Sequence, residues 1–80
     1  LHDAFPISLI ESFGLTVKKL RKQKKLSQEE LALEAELDRS FVSMIERGTR
    51  QLSLASIIKI SKVLGLKPSE LLMEAEKHAD

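Results

Sequence analysis

Apolar residues recur along the chain at intervals of three and four, which is the spacing of a buried helix face. In the first run Ile10, Phe13, Val17 and Leu20 share one face, while lysines and arginines occupy the opposite one. No segment shows the two-residue alternation typical of a strand. The pattern predicts an all-α fold of five helices: Ser8–Lys24, Gln28–Ala35, a third from an Asp38 cap to near Gly48, a fourth between Ser53 and Gly65, and Ser69–Ala75 behind Pro68.

Caps and breaks support these boundaries. Ser27 and Glu30 have the spacing of a capping box, in which each side chain pairs with the other residue's backbone N–H. Gly14 lies inside the first helix, where glycine is about 1 kcal/mol less favourable than alanine. Close packing of another helix against this position is one reason for a chain to tolerate it.

The segment from residue 28 to residue 47 forms one unit of two short helices joined by a tight turn at Glu36 and Leu37. A small residue, Ala32, lies midway along the first helix, where a larger side chain would hold the helices apart. Val42 and Ile45 of the second helix can close a small core with the first. We interpret residues 28–47 as a helix-turn-helix within a single domain spanning residues 1–80. In such motifs the second helix can enter the major groove of DNA.

Composition removes several other classes. Eighty residues make one small domain, and the 42% of hydrophobic residues suffice for a core. Cysteine is absent, so disulfides, thiolate metal sites and thiol nucleophiles are excluded. No apolar run approaches the roughly 18 residues of a membrane span. A secreted chain of this size usually carries disulfides, so we expect a cytoplasmic protein. The chain begins at Leu1 rather than Met, so we expect a processed or trimmed chain, and no secretory signal is visible in it.

Catalytic groups are scarce. The two histidines, His2 and His78, lie at the chain ends, where we expect them to be exposed to solvent. No glycine-rich phosphate loop or nucleophile elbow is present. We therefore expect no enzymatic activity, no cofactor, no metal and no small-molecule ligand.

Charge is close to balanced overall but unevenly placed. Thirteen Lys+Arg against twelve Asp+Glu leave a net charge of +1. Residues 17–50, however, carry nine cations and six anions, an excess of +3, and this segment includes the helix-turn-helix. The cations of Lys18–Lys25 taken alone are more typical of a solvated helix face than of a binding surface. Their position beside the helix-turn-helix favours a polyanionic partner.

Three stretches resemble the phage repressor and Cro-like family of helix-turn-helix regulators. They are LRKQKKLSQEELA (Leu20–Ala32), LDRSFVSMIERG (Leu37–Gly48) and the run from Leu52 to Leu72 that ends in VLGLKPSELL. The resemblance spans about Glu11 to Met73, with the segments in the family's order and spacing. The second stretch is also similar to the controller proteins of restriction–modification systems.

The resemblance implies a role for each matching position. Arg39, with Ser40, Ser43 and Met44, would face base edges, and arginine is suited to a bidentate contact with guanine. Phe41 is either partly core or packed on the DNA backbone or on the methyl group of a thymine. Arg21 and Glu46 match a structural ion pair between the first and third helices. The positions expected at the DNA backbone are Ser27, Gln28, Phe41, Arg47, Thr49, Arg50 and Gln51.

The chain departs from the family pattern at two turns. Glu36 and Lys25 stand where glycine is usual. If the backbone there has a positive φ, a residue other than glycine carries about 1 kcal/mol of strain.

The expected function is that of a sequence-specific regulator of transcription that binds double-stranded DNA. One such domain contacts few base pairs, so we expect a homodimer on a pseudo-palindromic operator. Its interface would involve apolar residues of the C-terminal region, namely Leu54, Ile58, Leu66 and Leu72. Bound at the operator, the dimer would exclude RNA polymerase or touch it. A helical protein-interaction module that no longer reads DNA is the alternative, and repressor and activator roles both stay open, as does the choice among restriction–modification, phage, antitoxin and housekeeping systems.

Overall fold

The structure of the chain, a computed structural model, describes residues 8–79. These residues form five α-helices and contain no strand, which confirms the predicted all-α fold. The first four helices begin and end within two residues of their predicted bounds. The helices are α1 (Leu9–Gln23), α2 (Gln28–Ala35), α3 (Arg39–Glu46), α4 (Leu54–Leu64) and α5 (Pro68–Ala79).

Serine caps begin three of the helices. Ser27 Oγ accepts a hydrogen bond from the backbone N–H of Glu30 at 3.0 Å, and Glu30 Oε1 accepts one from the Ser27 N–H at 2.8 Å. The predicted capping box is therefore present, and Ser8 and Ser53 head similar boxes. Each cap satisfies backbone donors that the helix itself cannot pair. Asp38 occupies the cap position of α3 as predicted, but its side chain accepts no hydrogen bond there.

Both turns that lack the usual glycine have a left-handed backbone. Lys25 after α1 has a φ of 60°, and Glu36 after α2 has a φ of 57°. At the second turn the N–H of Leu37 donates to the carbonyl of Ala32 at 2.8 Å, a bond typical of helices that end with a left-handed residue. A side chain in this conformation costs about 1–2 kcal/mol, so the strain expected from the sequence is present at both turns.

One hydrophobic core joins all five helices. Helix α1 packs against α3 and α5, α2 packs against α3 and α4, and α4 packs against α5. The two helices of the helix-turn-helix are thus supported from both sides, which fixes α3 relative to the rest of the molecule. The buried side chains of this core are Phe13, Val17, Leu31, Ala32, Val42, Ile45, Ile60, Leu64, Leu71 and Ala75.

Gly14 lies where the backbones of α1 and α3 come together. A Cβ atom on Gly14 would lie only 2.1 Å from the carbonyl oxygen of Ile45 and 2.9 Å from that of Glu46. Those atoms belong to the backbone and cannot rotate away. The structure therefore contains the close packing that we expected to explain a glycine inside the first helix.

Helix α5 is longer than predicted, because it continues past Ala75 to Ala79. The prediction stopped at the last apolar residue of the stripe, and the next three residues, Glu76, Lys77 and His78, present polar side chains to solvent. Nothing in that turn ends a helix, since it contains neither glycine nor proline. An exposed ion pair, Lys77 Nζ to Glu74 Oε2 at 3.0 Å, adds a small local contribution.

Two further observations concern the part of the chain that the structure describes. No helix in it is both long and apolar enough to cross a membrane. No group of three or more His, Cys, Asp or Glu residues in it could hold a metal ion. His78 is exposed at the end of α5, and His2 lies outside the described residues.

Candidate nucleic-acid interface

Helix α3 divides into a buried face and a polar face. Val42 and Ile45 are almost fully buried, at 0% and 1% exposure. On the other face Arg39 and Ser40 are exposed, while Ser43 and Met44 are half-buried. Because one turn takes 3.6 residues, anchoring the first pair in the core turns the other four outward together. The four residues expected to face bases therefore do share one face.

The N-terminus of α2 lies beside α3. Ser27 is exposed, but its backbone N–H and its hydroxyl oxygen are both engaged with Glu30 in the capping box. The Ser27 hydroxyl proton is left to donate. Gln28, the first residue of the helix, is half-buried and turns towards α3. Backbone N–H groups at a helix start attract anions, although the adjacent carboxylates of Glu29 and Glu30 oppose this.

The loop after α3 flanks the same face at its other end. Arg47, Thr49, Arg50 and Gln51 are all exposed. The Thr49 backbone N–H and hydroxyl both donate to the carbonyl of Met44, at 3.1 and 3.3 Å, which folds the loop back onto the end of α3. Gly48 makes this turn with a φ of 71°.

Arg21 and Glu46 form a buried ion pair beneath this surface. Arg21 Nε donates to Glu46 Oε2 at 2.7 Å, and Nη2 donates to Oε1 at 3.0 Å. Its third nitrogen, Nη1, donates to the carbonyl of Leu26 at 2.7 Å. The hydrogen bond with Glu46 raises the pKa of Arg21, while burial acts in the opposite direction. The pair expected between the first and third helices thus also holds the loop that leads into α2.

Gln28 links this buried pair to the exposed face. Its Nε2 donates to Glu46 Oε1 at 3.0 Å, and its Oε1 accepts from Arg39 Nη1 at 3.4 Å. Gln28 was predicted only as a phosphate contact. The sequence contains no signal for these bonds, because the partners are 18 and 11 positions away and follow from how the helices cross.

Phe41 contacts both the hydrophobic core and a charged side chain of the loop. The Phe41 side chain packs against the core, and the Arg50 guanidinium lies over the ring with its central carbon 5.1 Å from the centroid. The predicted alternatives for Phe41 were core packing and contact with DNA. The structure places the residue at the boundary between the core and an open groove of about 540 Å³, which Leu37, Ser40, Met44 and Arg50 also line. The contact with Arg50 was not predicted.

The residues predicted for a dimer interface fall into two groups. Leu54 and Ile58 on α4 are exposed, at 68% and 47%. Leu66 and Leu72 are half-buried and pack against the core. Only the first two therefore project from the surface.

A short helix that presents a polar face, supported by a second helix across a tight turn, defines a helix-turn-helix protein. The helix-turn-helix family matches residues 17–71, and the chain belongs to this family of DNA-binding regulators.

Restriction–modification control proteins stand among its similar proteins. The chain is 52% identical over 61 residues to control protein C.BamHI of Bacillus amyloliquefaciens, a match that covers 75% of each chain. The crystal structure of controller protein C.AhdI from Aeromonas hydrophila is similar with a TM-score of 0.74 and 46% identity, covering 79% of this chain and 94% of that one. A mutant of C.Esp1396I, solved bound to its highest affinity operator site, gives a TM-score of 0.80 and 34% identity, covering 89% and 93%.

Proposed function

We propose that the protein binds operator DNA as a homodimer, with α3 in the major groove, and thereby controls transcription in a restriction–modification system. One observation carries this proposal: the polar face of α3 lies between the start of α2 and the Arg47–Gln51 loop. Within residues 8–79, no carboxylate forms an ion pair with Arg39, Arg47 or Arg50. These exposed charges are therefore available to an outside anion.

The face of α3 offers the groups that base edges require. Arg39, at the first position of the helix, can donate two parallel hydrogen bonds to the O6 and N7 atoms of a guanine. Ser40 and Ser43 can donate or accept, and Met44 can pack on the methyl group of a thymine. Together these four side chains would read one half-site.

Contacts to phosphates would fix α3 in the groove without reading sequence. Ser27 and Gln28 would meet one strand, and the loop after α3 would meet the other. Phe41 lies on the loop side. The loop residues that would take part are Arg47, Thr49, Arg50 and Gln51.

The reading face of α3, formed by Arg39, Ser40, Ser43 and Met44, is small, and for this reason we expect a dimer. A single α3 spans one half-site, and two-fold symmetric operators are usually bound by two copies. We place the dimer contact on α4, where Leu54 and Ile58 project, whereas Leu66 and Leu72 pack against the core. Next to Ile58 a groove has the acidic Glu34 and Glu36 on one side and Lys59 and Lys62 on the other, so each copy can offer both charges.

The biological setting is proposed from the similar proteins. Two of them, C.AhdI and C.Esp1396I, are restriction–modification controller proteins, and a mutant of the second was solved on its operator. This chain would act in the cytoplasm on the operator of such a system. Bound at this operator, the dimer would either exclude RNA polymerase or contact it directly.

The test is a salt titration of binding to duplexes of mixed sequence, followed by selection of tight-binding sites. We expect affinity to fall steeply with salt, because each phosphate contact releases counterions, and the selected sites to be pseudo-palindromes. An absence of salt-dependent binding would contradict the proposal and favour a protein-interaction module. Binding that yields no selected sequence would contradict the reading of bases.

A further inference from the structure

Three exposed arginines, Arg39, Arg47 and Arg50, and one buried arginine, Arg21, lie near the proposed DNA surface, and their surroundings differ. Arg21 is 7% exposed and all of its guanidinium nitrogens donate to protein oxygens. Its charge is balanced by Glu46. Arg50 is exposed and forms no hydrogen bond or ion pair with any of residues 8–79, and its guanidinium lies over the ring of Phe41.

The groove that Arg50 lines also contains carboxylates that could have paired with it. Glu36 and Asp38 line the same groove, yet neither pairs with Arg50. A carboxylate would hold the guanidinium but would also cancel its charge. An aromatic ring attracts a cation through its face and leaves the N–H groups at the edge of the guanidinium free to donate.

We propose that Phe41 is a positioning residue for Arg50: its ring holds the guanidinium beside α3 with the charge uncancelled, ready for a DNA phosphate. This inference rests on the proposed function. The Phe41 side chain is held by its packing against the core, whereas Arg50 belongs to a loop and has a long flexible side chain. Holding that side chain in advance lowers the entropy lost when it binds phosphate.

The experiment is a double-mutant cycle on duplexes of mixed sequence, comparing the wild type, Phe41→Leu, Arg50→Ala and the double variant. A cation–π contact at an exposed site corresponds to about a two- to five-fold change in affinity. We expect Phe41→Leu to weaken binding to all sequences by such a factor. In the Arg50→Ala background the same change should have almost no effect, because the residue it positions is gone.

Two further measurements distinguish a positioning role of Phe41 from a purely structural one. Phe41→Tyr retains the ring and should therefore retain the coupling, so that removing Arg50 weakens its binding by the same factor as in the wild type. In the protein without DNA, the Arg50 side-chain proton resonances should be shifted by the ring in the wild type and in Phe41→Tyr, and not in Phe41→Leu. Thermal melting of each variant confirms that it is folded at the temperature of measurement.

Several results would overturn the inference. They are equal effects of Phe41→Leu with and without Arg50, loss of affinity for some base sequences and not others, or ring shifts absent from the wild type. If Phe41→Leu does not fold, the comparison of wild type, Phe41→Tyr and the Arg50 resonances still decides. A wild-type protein without salt-dependent DNA binding would instead contradict the proposed function itself.

Discussion

Single residues in this chain gain their roles from their neighbours. Arg39, like Arg50, is an exposed arginine, but it donates to Gln28, which is itself held by the buried Glu46. Arg39 is thereby oriented at the first turn of α3 before any DNA arrives. Gly14 is the opposite case, since its role is to have no side chain at all.

For Arg39 we expect replacement by alanine to relax specificity at one base pair. The loss should be about 1–3 kcal/mol on the selected operator, the value of a good bidentate contact, and much smaller on mixed DNA. Competition binding between operator and mixed duplexes measures the difference. Lys67→Ala, which removes an exposed cation from the loop before α5, serves as the control. Equal losses on both duplexes would assign Arg39 to phosphate instead.

For Gly14 we expect alanine to destabilise the fold even though alanine is the better helix former. The gain in helix propensity is about 1 kcal/mol. It is outweighed by a Cβ placed 2.1 Å from a backbone oxygen, which forces α1 and α3 apart. Overpacking of this kind typically costs 1–3 kcal/mol, and the upper end applies here.

Urea unfolding measures the effect of Gly14→Ala. Leu15→Ala, at the exposed neighbouring position of the same helix, should change stability by less than about 0.5 kcal/mol. A Gly14→Ala variant as stable as the wild type would mean that the two helices are not in backbone contact.

At the scale of elements, the helix-turn-helix is held by α1 as much as by its own turn. Arg21 reaches from α1 to Glu46 at the end of α3 and to the carbonyl that precedes α2. The turn between α2 and α3 meanwhile carries a strained Glu36. The ion pair therefore holds α3 at its angle to the other helices, even though the turn between α2 and α3 is itself strained.

We expect Glu46→Ala to lower the free energy of unfolding by about 3 kcal/mol, because it leaves the buried Arg21 charge without a partner. Exchanging both partners for apolar residues, Arg21→Met with Glu46→Leu, should cost much less. Chemical denaturation of the three proteins tests this. Removing the exposed Lys77–Glu74 pair is the control and should change stability little. If the single and double exchanges were equally harmful, packing and not charge would be the reason.

At the scale of the whole molecule, one side carries the cations of the reading face and α4 carries exposed apolar residues. Leu54 and Ile58 are large side chains that a lone domain gains nothing by exposing. A symmetric dimer through α4 would cover them and present two copies of α3 together. Net charge is a poor guide to this arrangement, since anions elsewhere in the chain balance the excess on residues 17–50.

We expect the wild type to sediment as a dimer at high micromolar concentration, and Ile58→Glu, or Leu54→Glu, to sediment as a monomer. A charge in an apolar two-fold contact meets its own copy, so each substitution acts twice. Leu15→Glu, an equally exposed position on α1, should leave the dimer intact. A monomeric wild type would exclude this interface.

The sequence indicated the helices and the family clearly, because periodic apolar residues and serine caps act over a few neighbouring positions. It also indicated which turns are strained. It missed the last turn of α5, since an exposed turn needs no apolar stripe. It placed Leu66 and Leu72 with Leu54 and Ile58, because a helix pattern does not distinguish a side chain on the core from one facing outward.

What the sequence by itself determined is therefore local: five helices, their caps, the glycine-free turns and the side chains that α3 turns away from the core. The tertiary structure alone decided which distant groups meet. Gln28 bonds to Glu46 and Arg39 only because of the angles at which the packed helices cross. The contact of Arg50 with the Phe41 ring likewise depends on how the loop folds against α3. Those angles arise from the fit of whole helix surfaces, as where Gly14 lets α1 touch α3, and no spacing along the chain encodes them.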